Sequence, residues 1–164
     1  MTRAAPTPGK AAKPPRVATR PAARSAARLA AVQALYQRAM AGTAVSGLLN
    51  EFHAHRLDGD LDGEQIAPAE ADFFDGIVTG VVARQDEIDA AIGARLAPGW
   101  TLKRLDPLML QLLRAGVFEL LARPDIPRGA VVSEYVDVAH AFYPAAEAGF
   151  VNALLDRLAR DTAS

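Results

Sequence analysis

From about residue 21 onward, apolar side chains recur at three- and four-residue steps almost to the end of the chain. That period belongs to amphipathic helices, and turn pairs such as Asn-Gly between alternating strands are missing. The first helix is predicted over 21–41, where Gly42 stops it, and a second over 46–57. Pro68 opens a third, on which Phe73, Ile77, Val81 and Ile88 keep helical spacing. Gly76 and Gly80 stand four apart on that helix, leaving one face bare for a close neighbour.

The stretch "LAPGW" at 96–100 breaks the pattern and divides an N-terminal half, about 21–97, from a C-terminal half, about 100–164. Residues 101–105 form a short turn or helix. Asp106 followed by Pro107 reads as an N-cap with proline at the first helical position. The helix that follows, "PLMLQLLRAGVFELLAR", is apolar around most of its circumference and should be the buried centre. After the turn "PDIP", Val131, Tyr135, Val138 and Phe142 line a helix that ends before Pro144. Phe150, Leu154 and Leu158 share the core-facing side of the last one. The expected fold is all-α, with six or seven helices in two small packed bundles.

Charge changes the picture at the front. Residues 1–50 carry eight Lys/Arg and no acid, whereas 51–164 carry ten Lys/Arg against 19 Asp/Glu, so a net −1 conceals a basic end on an acidic body. Residues 1–20 hold four of the 11 prolines and read as a disordered basic tail without the apolar run of a secretory signal. The whole chain has 164 residues, about the size of one domain, and no cysteine, which removes disulfides and thiolate metal sites. No apolar run is long enough to span a bilayer.

The candidate chemistry lies in "RSAARLAAVQALY" at 24–36. At about 100° per residue from Arg24, Arg28 falls near 40° and Arg38 near 320°, as does Arg20, while Leu29, Val32, Tyr36 and Met40 lie between about 80° and 160°. A basic stripe thus adjoins an apolar face. Four-residue steps repeat every ~6 Å along the axis, close to the phosphate spacing of an extended single strand, and arginine suits phosphate through its fixed fork of donors. A solvated helix face would show the same pattern.

Other motifs carry less. Asp58, Asp60, Asp62 and Gly63 imitate the start of a calcium loop, but Ala69 stands where the bidentate Glu belongs, so a flexible acidic loop is expected. His53 and His55 diverge on a helix and cannot share a metal. No phosphate loop, carboxylate pair or nucleophile motif points to catalysis. Neither enzyme activity nor a cofactor is expected.

The blocks "RSAARLAAVQALYQ", "LLRAGVFELLARPDIP", "SEYVDVAHAFY" and "GFVNALLDRLAR" occur in the order and spacing of the NusB family of bacterial transcription antitermination factors. The chain resembles that family from about Arg24 to Arg160. The resemblance implies binding of boxA, a single-stranded signal in ribosomal RNA leader transcripts. It implies a heterodimer with the small-subunit ribosomal protein NusE and entry into the RNA polymerase elongation complex with other Nus factors, opposing premature termination. It also implies a bacterial cytoplasmic location and allows a homodimer of the free protein.

Position by position, the family's arginine-rich helix start maps onto Arg24 and Arg28, with Arg20 in support from the tail. Ser25 and Ala26 stand where many members have further arginines. Tyr36 matches the tyrosine of the first helix, Arg114 the arginine of the middle block, and Phe150 and Asn152 the Phe-Val-Asn segment. Asn152 could read a base edge or fix the last helix through a buried hydrogen bond; Phe150 could stack on a base or pack in the core. Glu119 is the candidate contact to the basic ribosomal partner. The alternatives are the RNA-positioning domain of a ribosomal RNA cytosine methyltransferase, for whose catalytic domain 164 residues leave no room, and a general RNA-binding module. Membrane-surface binding by the first helix would need its apolar face exposed to lipid.

Overall fold

A computed structural model describes residues 20–55, 60–61, 64–65 and 70–163. The predicted tail before residue 20 and most of the calcium-loop mimic, including Asp58, Asp62, Gly63 and Ala69, lie outside the described residues. Within them the chain forms seven α-helices: α1 (Arg20–Ala41), α2 (Val45–His55), α3 (Ala71–Ala83), α4 (Gln85–Gly93), α5 (Pro107–Ala122), α6 (Arg128–Phe142) and α7 (Ala145–Asp161). A 3-10 turn covers Leu102–Arg104. In the acidic connection, β1 (Asp60–Leu61) and β2 (Glu64–Gln65) pair antiparallel, with Asp60 opposite Gln65.

The central helix is α5. Asp106 caps it, its Oδ2 accepting from the Met109 amide at 3.2 Å, with Pro107 opening the helix. It packs against α1, α3, α4, α6 and α7, which explains why its sequence is apolar nearly all round. Leu112, Leu113 and Val117 are fully buried there, in one cluster with Phe74, Ile77, Tyr135 and Leu155. Each such side chain contributes ~1.5–3 kcal/mol on leaving water. Phe52 of α2 stacks on Phe74 of α3 at 5.5 Å, closing the N-terminal side of this core.

Two expectations need correction. The third predicted helix is two, because the backbone leaves helical geometry at Arg84 (φ −113°, ψ 21°). The Arg84 guanidinium instead bonds both oxygens of Glu87 at 2.9 Å in the first turn of α4. Val81 and Ile88 are seven residues apart, so the apolar phase runs through the break unaltered. The second correction concerns α1. Its buried face is made by Ala27, Ala30, Ala31, Ala34 and Leu35 together with Val32, while Tyr36 and Met40 are exposed. Small side chains make up most of the face that α1 turns to α3 and α5, and of the large ones predicted to mark the core side Tyr36 and Met40 do not.

The glycine pair on α3 divides likewise. A Cβ on Gly80 would lie 2.2 Å from the Phe118 ring of α5, whereas one on Gly76 would meet nothing within 4 Å. Only Gly80 serves the close approach. At the far side, one arginine ties two helix ends. Arg128 donates from Nε to the Ala159 carbonyl at 2.8 Å, from Nη1 to the Leu120 carbonyl at 3.3 Å and from Nη2 to the Thr162 hydroxyl.

Candidate nucleic-acid interface

At the front of α1, the arginines that the sequence places on one stripe separate by one helical turn into different roles. Arg24 is partly exposed, with Nε 3.4 Å from Glu70 Oε2 at the start of α3. Arg28 is 4% exposed and Glu119 is 0% exposed. Arg28 Nε donates to the two Glu119 oxygens at 2.8 and 3.1 Å, and its Nη1 lies 3.6 Å from Glu134 Oε2. The Tyr135 hydroxyl donates to Glu119 Oε1 at 3.1 Å, and the Ser25 hydroxyl to Glu134 Oε2 at 2.8 Å. This network joins α1, α5 and α6 through the core.

Burial pushes the Glu119 carboxyl up, against the pull of Arg28. Burial also works against the Arg28 charge, but the bond to Glu119 and the surrounding carboxylates outweigh it and hold the guanidinium above its usual value. Its loss from the predicted surface follows from geometry: Arg28, near 40° on the helix wheel, lies within the buried arc of α1, between Leu35 near 20° and Val32 near 80°. Glu119 accordingly faces Arg28 and not a partner protein, which corrects the expectation for both residues.

Phe73 of α3 organises the same end. The guanidiniums of Arg24, Arg28 and Arg123 lie 4.8, 5.0 and 5.3 Å from its ring centroid. Arg123 also bonds Asp125 through Nε and Nη2 at 3.0 and 2.9 Å. Nothing in the spacing of Phe73 distinguishes it from a core residue, which it also is. Arg20 begins α1, and its side chain lies outside the described residues.

The remaining candidates lie elsewhere. Arg114 forms a two-pronged pair with Asp89 of α4, both bonds 2.8 Å, so its guanidinium is committed within the fold. It lines a cavity of about 460 Å³ with Arg38, Thr43 and Gln85. Tyr36 stands three turns beyond Arg24, roughly 18 Å along α1, and is 38% exposed. It neighbours Tyr143, whose hydroxyl bonds Asp106 Oδ2; burial and that bond raise the phenol well above its ordinary range. Phe150 is 37% exposed, because α7 turns Ala148, Val151, Leu154, Leu155 and Leu158 inward and leaves Phe150 at the edge of that face. Core packing, which the periodicity suggests for it, is overturned. Asn152 is exposed, so it does not fix α7 by a buried bond.

The structure thus gathers Arg24 and Arg28 at one end and Tyr36 and Phe150 toward the other. Sequence reasoning passed over Trp100, which is 50% exposed with the Arg104 guanidinium 5.1 Å from its ring centroid. Its place in a break between helices, next to "LKR", was the available signal. His53 Nε2 lies 2.6 Å from Asp75 Oδ1, tying α2 to α3. Among the described residues no group of three His, Cys, Asp or Glu could hold a metal ion, and no helix is long and apolar enough to cross a membrane.

Residues 25–160 match the NusB family. The transcription antitermination protein NusB of Sphingopyxis alaskensis is 61% identical over 138 residues, covering 84% of this chain and 93% of that one. The chain belongs to the NusB family. Among solved structures, NusB of T. maritima superposes with a TM-score of 0.71 at 27% identity, covering 86% of this chain and 93% of that one. The fold is also that of a chain in the crystal structure of the antitermination factors NusB and NusE in complex with dsRNA, with a TM-score of 0.70 at 24% identity over 84% of this chain and 96% of that one. The all-helical NusB architecture is therefore the architecture of this chain, and the resemblance noted in the sequence holds over nearly all the described residues.

Proposed function

We propose that this member of the NusB family is a non-catalytic antitermination factor of the bacterial cytoplasm. It binds boxA-type single-stranded RNA of ribosomal RNA leader transcripts together with NusE. The pair joins the RNA polymerase elongation complex with other Nus factors and opposes premature termination. The observation that carries this reading is the 61% identity to an antitermination protein over 93% of that protein's length. That relative is named an antitermination protein and not a methyltransferase, which favours this reading over the methyltransferase alternative.

The residues proposed to meet RNA are Arg20, Arg24, Tyr36, Phe150 and Asn152. Arg24 is accessible beside Glu70, and Tyr36, Phe150 and Asn152 stand at the surface. Arg28 and Arg114 support this surface from within: one locks α1 to α5 and α6, the other locks α5 to α4. A homodimer of the free protein would cover part of the same surface.

Titrating boxA-like and scrambled RNA, with and without NusE, at two salt concentrations tests the function. Preference for the boxA-like strand, strengthened by NusE and weakened by salt, is expected. Equal weak binding of both strands with no help from NusE would sink it. Arg24→Ala should flatten the salt slope by up to about one.

A further inference from the structure

A groove of about 700 Å³ with Trp100, Tyr143 and Phe150 on its walls presents aromatic surface. The front of α1 presents charge instead, and the three guanidiniums gathered on Phe73 each carry a carboxylate: Glu70 on Arg24, Glu119 on Arg28 and Asp125 on Arg123. We propose that Glu70 is an internal competitor of RNA: its carboxylate takes the place of a phosphate on Arg24, so a strand reaches that guanidinium only by displacing it. The inference rests on the RNA-binding reading and adds to it the residue that holds the affinity down.

Of the three pairs, the one on Arg24 is the one built to open. Arg28 bonds both oxygens of Glu119 at 2.8 and 3.1 Å in the core. Arg123 bonds both oxygens of Asp125 at 3.0 and 2.9 Å. Arg24 reaches one oxygen of Glu70, through Nε at 3.4 Å, and the two side chains are 19% and 32% exposed. That contact uses one of the five N–H donors of a guanidinium, and exposed pairs are the weakest of ionic contacts. The guanidinium does not depend on Glu70 for its place. It lies 4.8 Å from the Phe73 ring centroid, a cation–π contact that stays when the carboxylate leaves.

Glu70 is held beside Arg24 by its backbone, not by its charge. Its amide donates to the Ala23 carbonyl at 3.2 Å, and its carbonyl accepts from the Phe74 amide at 3.0 Å where α3 begins. It stands at the N-cap of α3, where Ser, Thr, Asp or Asn ordinarily bonds the free amides. Its side chain makes no capping bond and turns to Arg24 instead. The start of α3 therefore gains no capping bond from this carboxylate, whereas the arginine loses a vacant donor to it. The surrounding sequence has the same sign: residues 57–83 hold seven Asp/Glu and no Lys/Arg. Asp72, exposed two residues further on, separates the two explanations, local competition and overall charge.

The test measures binding of boxA-like and scrambled single-stranded RNA to the full chain over a series of salt concentrations. Glu70→Gln keeps the backbone bonds and the side-chain shape, and circular dichroism checks that each variant is folded. It should tighten binding by up to about fivefold, the range of an exposed ion pair. The gain should be equal for the two strands, because phosphate contacts carry no base information. The salt slope should steepen by up to about 0.7, the single-strand value for one phosphate contact. In an Arg24→Ala chain, Glu70→Gln should add nothing. Asp72→Asn, which removes the same charge, should give less than half the gain. Unchanged or weaker binding in Glu70→Gln would overturn the competitor and leave the RNA reading intact. A gain as large in Asp72→Asn, or one that persists without Arg24, would assign the effect to overall charge and overturn the inference. Failure of the wild-type chain to bind either strand would overturn both.

Discussion

The two ends of α1 solve opposite problems with the same kind of helix. At the front, charged side chains are drawn inward: Arg28 is buried against Glu119, and Arg24 and Arg123 crowd the ring of Phe73. Roughly 18 Å further on, aromatic side chains stand outward, with Tyr36 beside Tyr143 and Phe150 on the neighbouring groove. The residues that look like ligands for RNA are partly structural, and those that look like core are partly surface. Charge density along the sequence therefore overstates the exposed cationic surface at one end, and hydrophobicity understates the exposed aromatic surface at the other.

The largest expected effect breaks the front end. Arg28→Ala leaves the Glu119 carboxylate buried without its partner and should cost about 3–5 kcal/mol in urea unfolding, a large share of the 5–15 kcal/mol typical of a domain. Replacing both partners, Arg28→Met with Glu119→Leu, should recover most of the loss. Loss of RNA affinity at wild-type stability in Arg28→Ala would return that residue to the surface. At the other end, Phe150→Ala should behave in reverse. Stability should shift by no more than about 0.5 kcal/mol, as for surface positions, while RNA affinity falls by about 1–3 kcal/mol if a base stacks there. A stability loss without an affinity loss would make Phe150 a packing residue after all.

The smallest effect is a titration at the front end. Arg123 holds the Asp125 carboxyl at about 2, down from an ordinary 3.8. The folded value is depressed, so the contribution is fully present above pH 3.8 and is lost as pH falls through about 2. Unfolding midpoints measured down that range should fall less steeply in Asp125→Asn than in the unaltered chain.

Much of the fold was legible because helices announce themselves by period and punctuation. Asp106-Pro107 marked the start of α5 and Gly42 the end of α1. The break at Arg84 was not legible, since a seven-residue step preserves the apolar phase on both sides of it. The alanine face of α1 was missed because alanine contributes little to a pattern read from large side chains, and that single misjudgement placed Arg28 outside. Trp100 was missed for a different reason. A lone aromatic in an irregular segment has no period, and only the fold brings it to the cavity it shares with Phe150.

The threefold bonding of Arg128 has a consequence for how the molecule opens. One guanidinium holds the Leu120 and Ala159 carbonyls at once, so the final turns of α5 and α7 share a single clasp. Fraying at either helix end releases the cap of the other, and amide exchange in the two turns becomes one cooperative event.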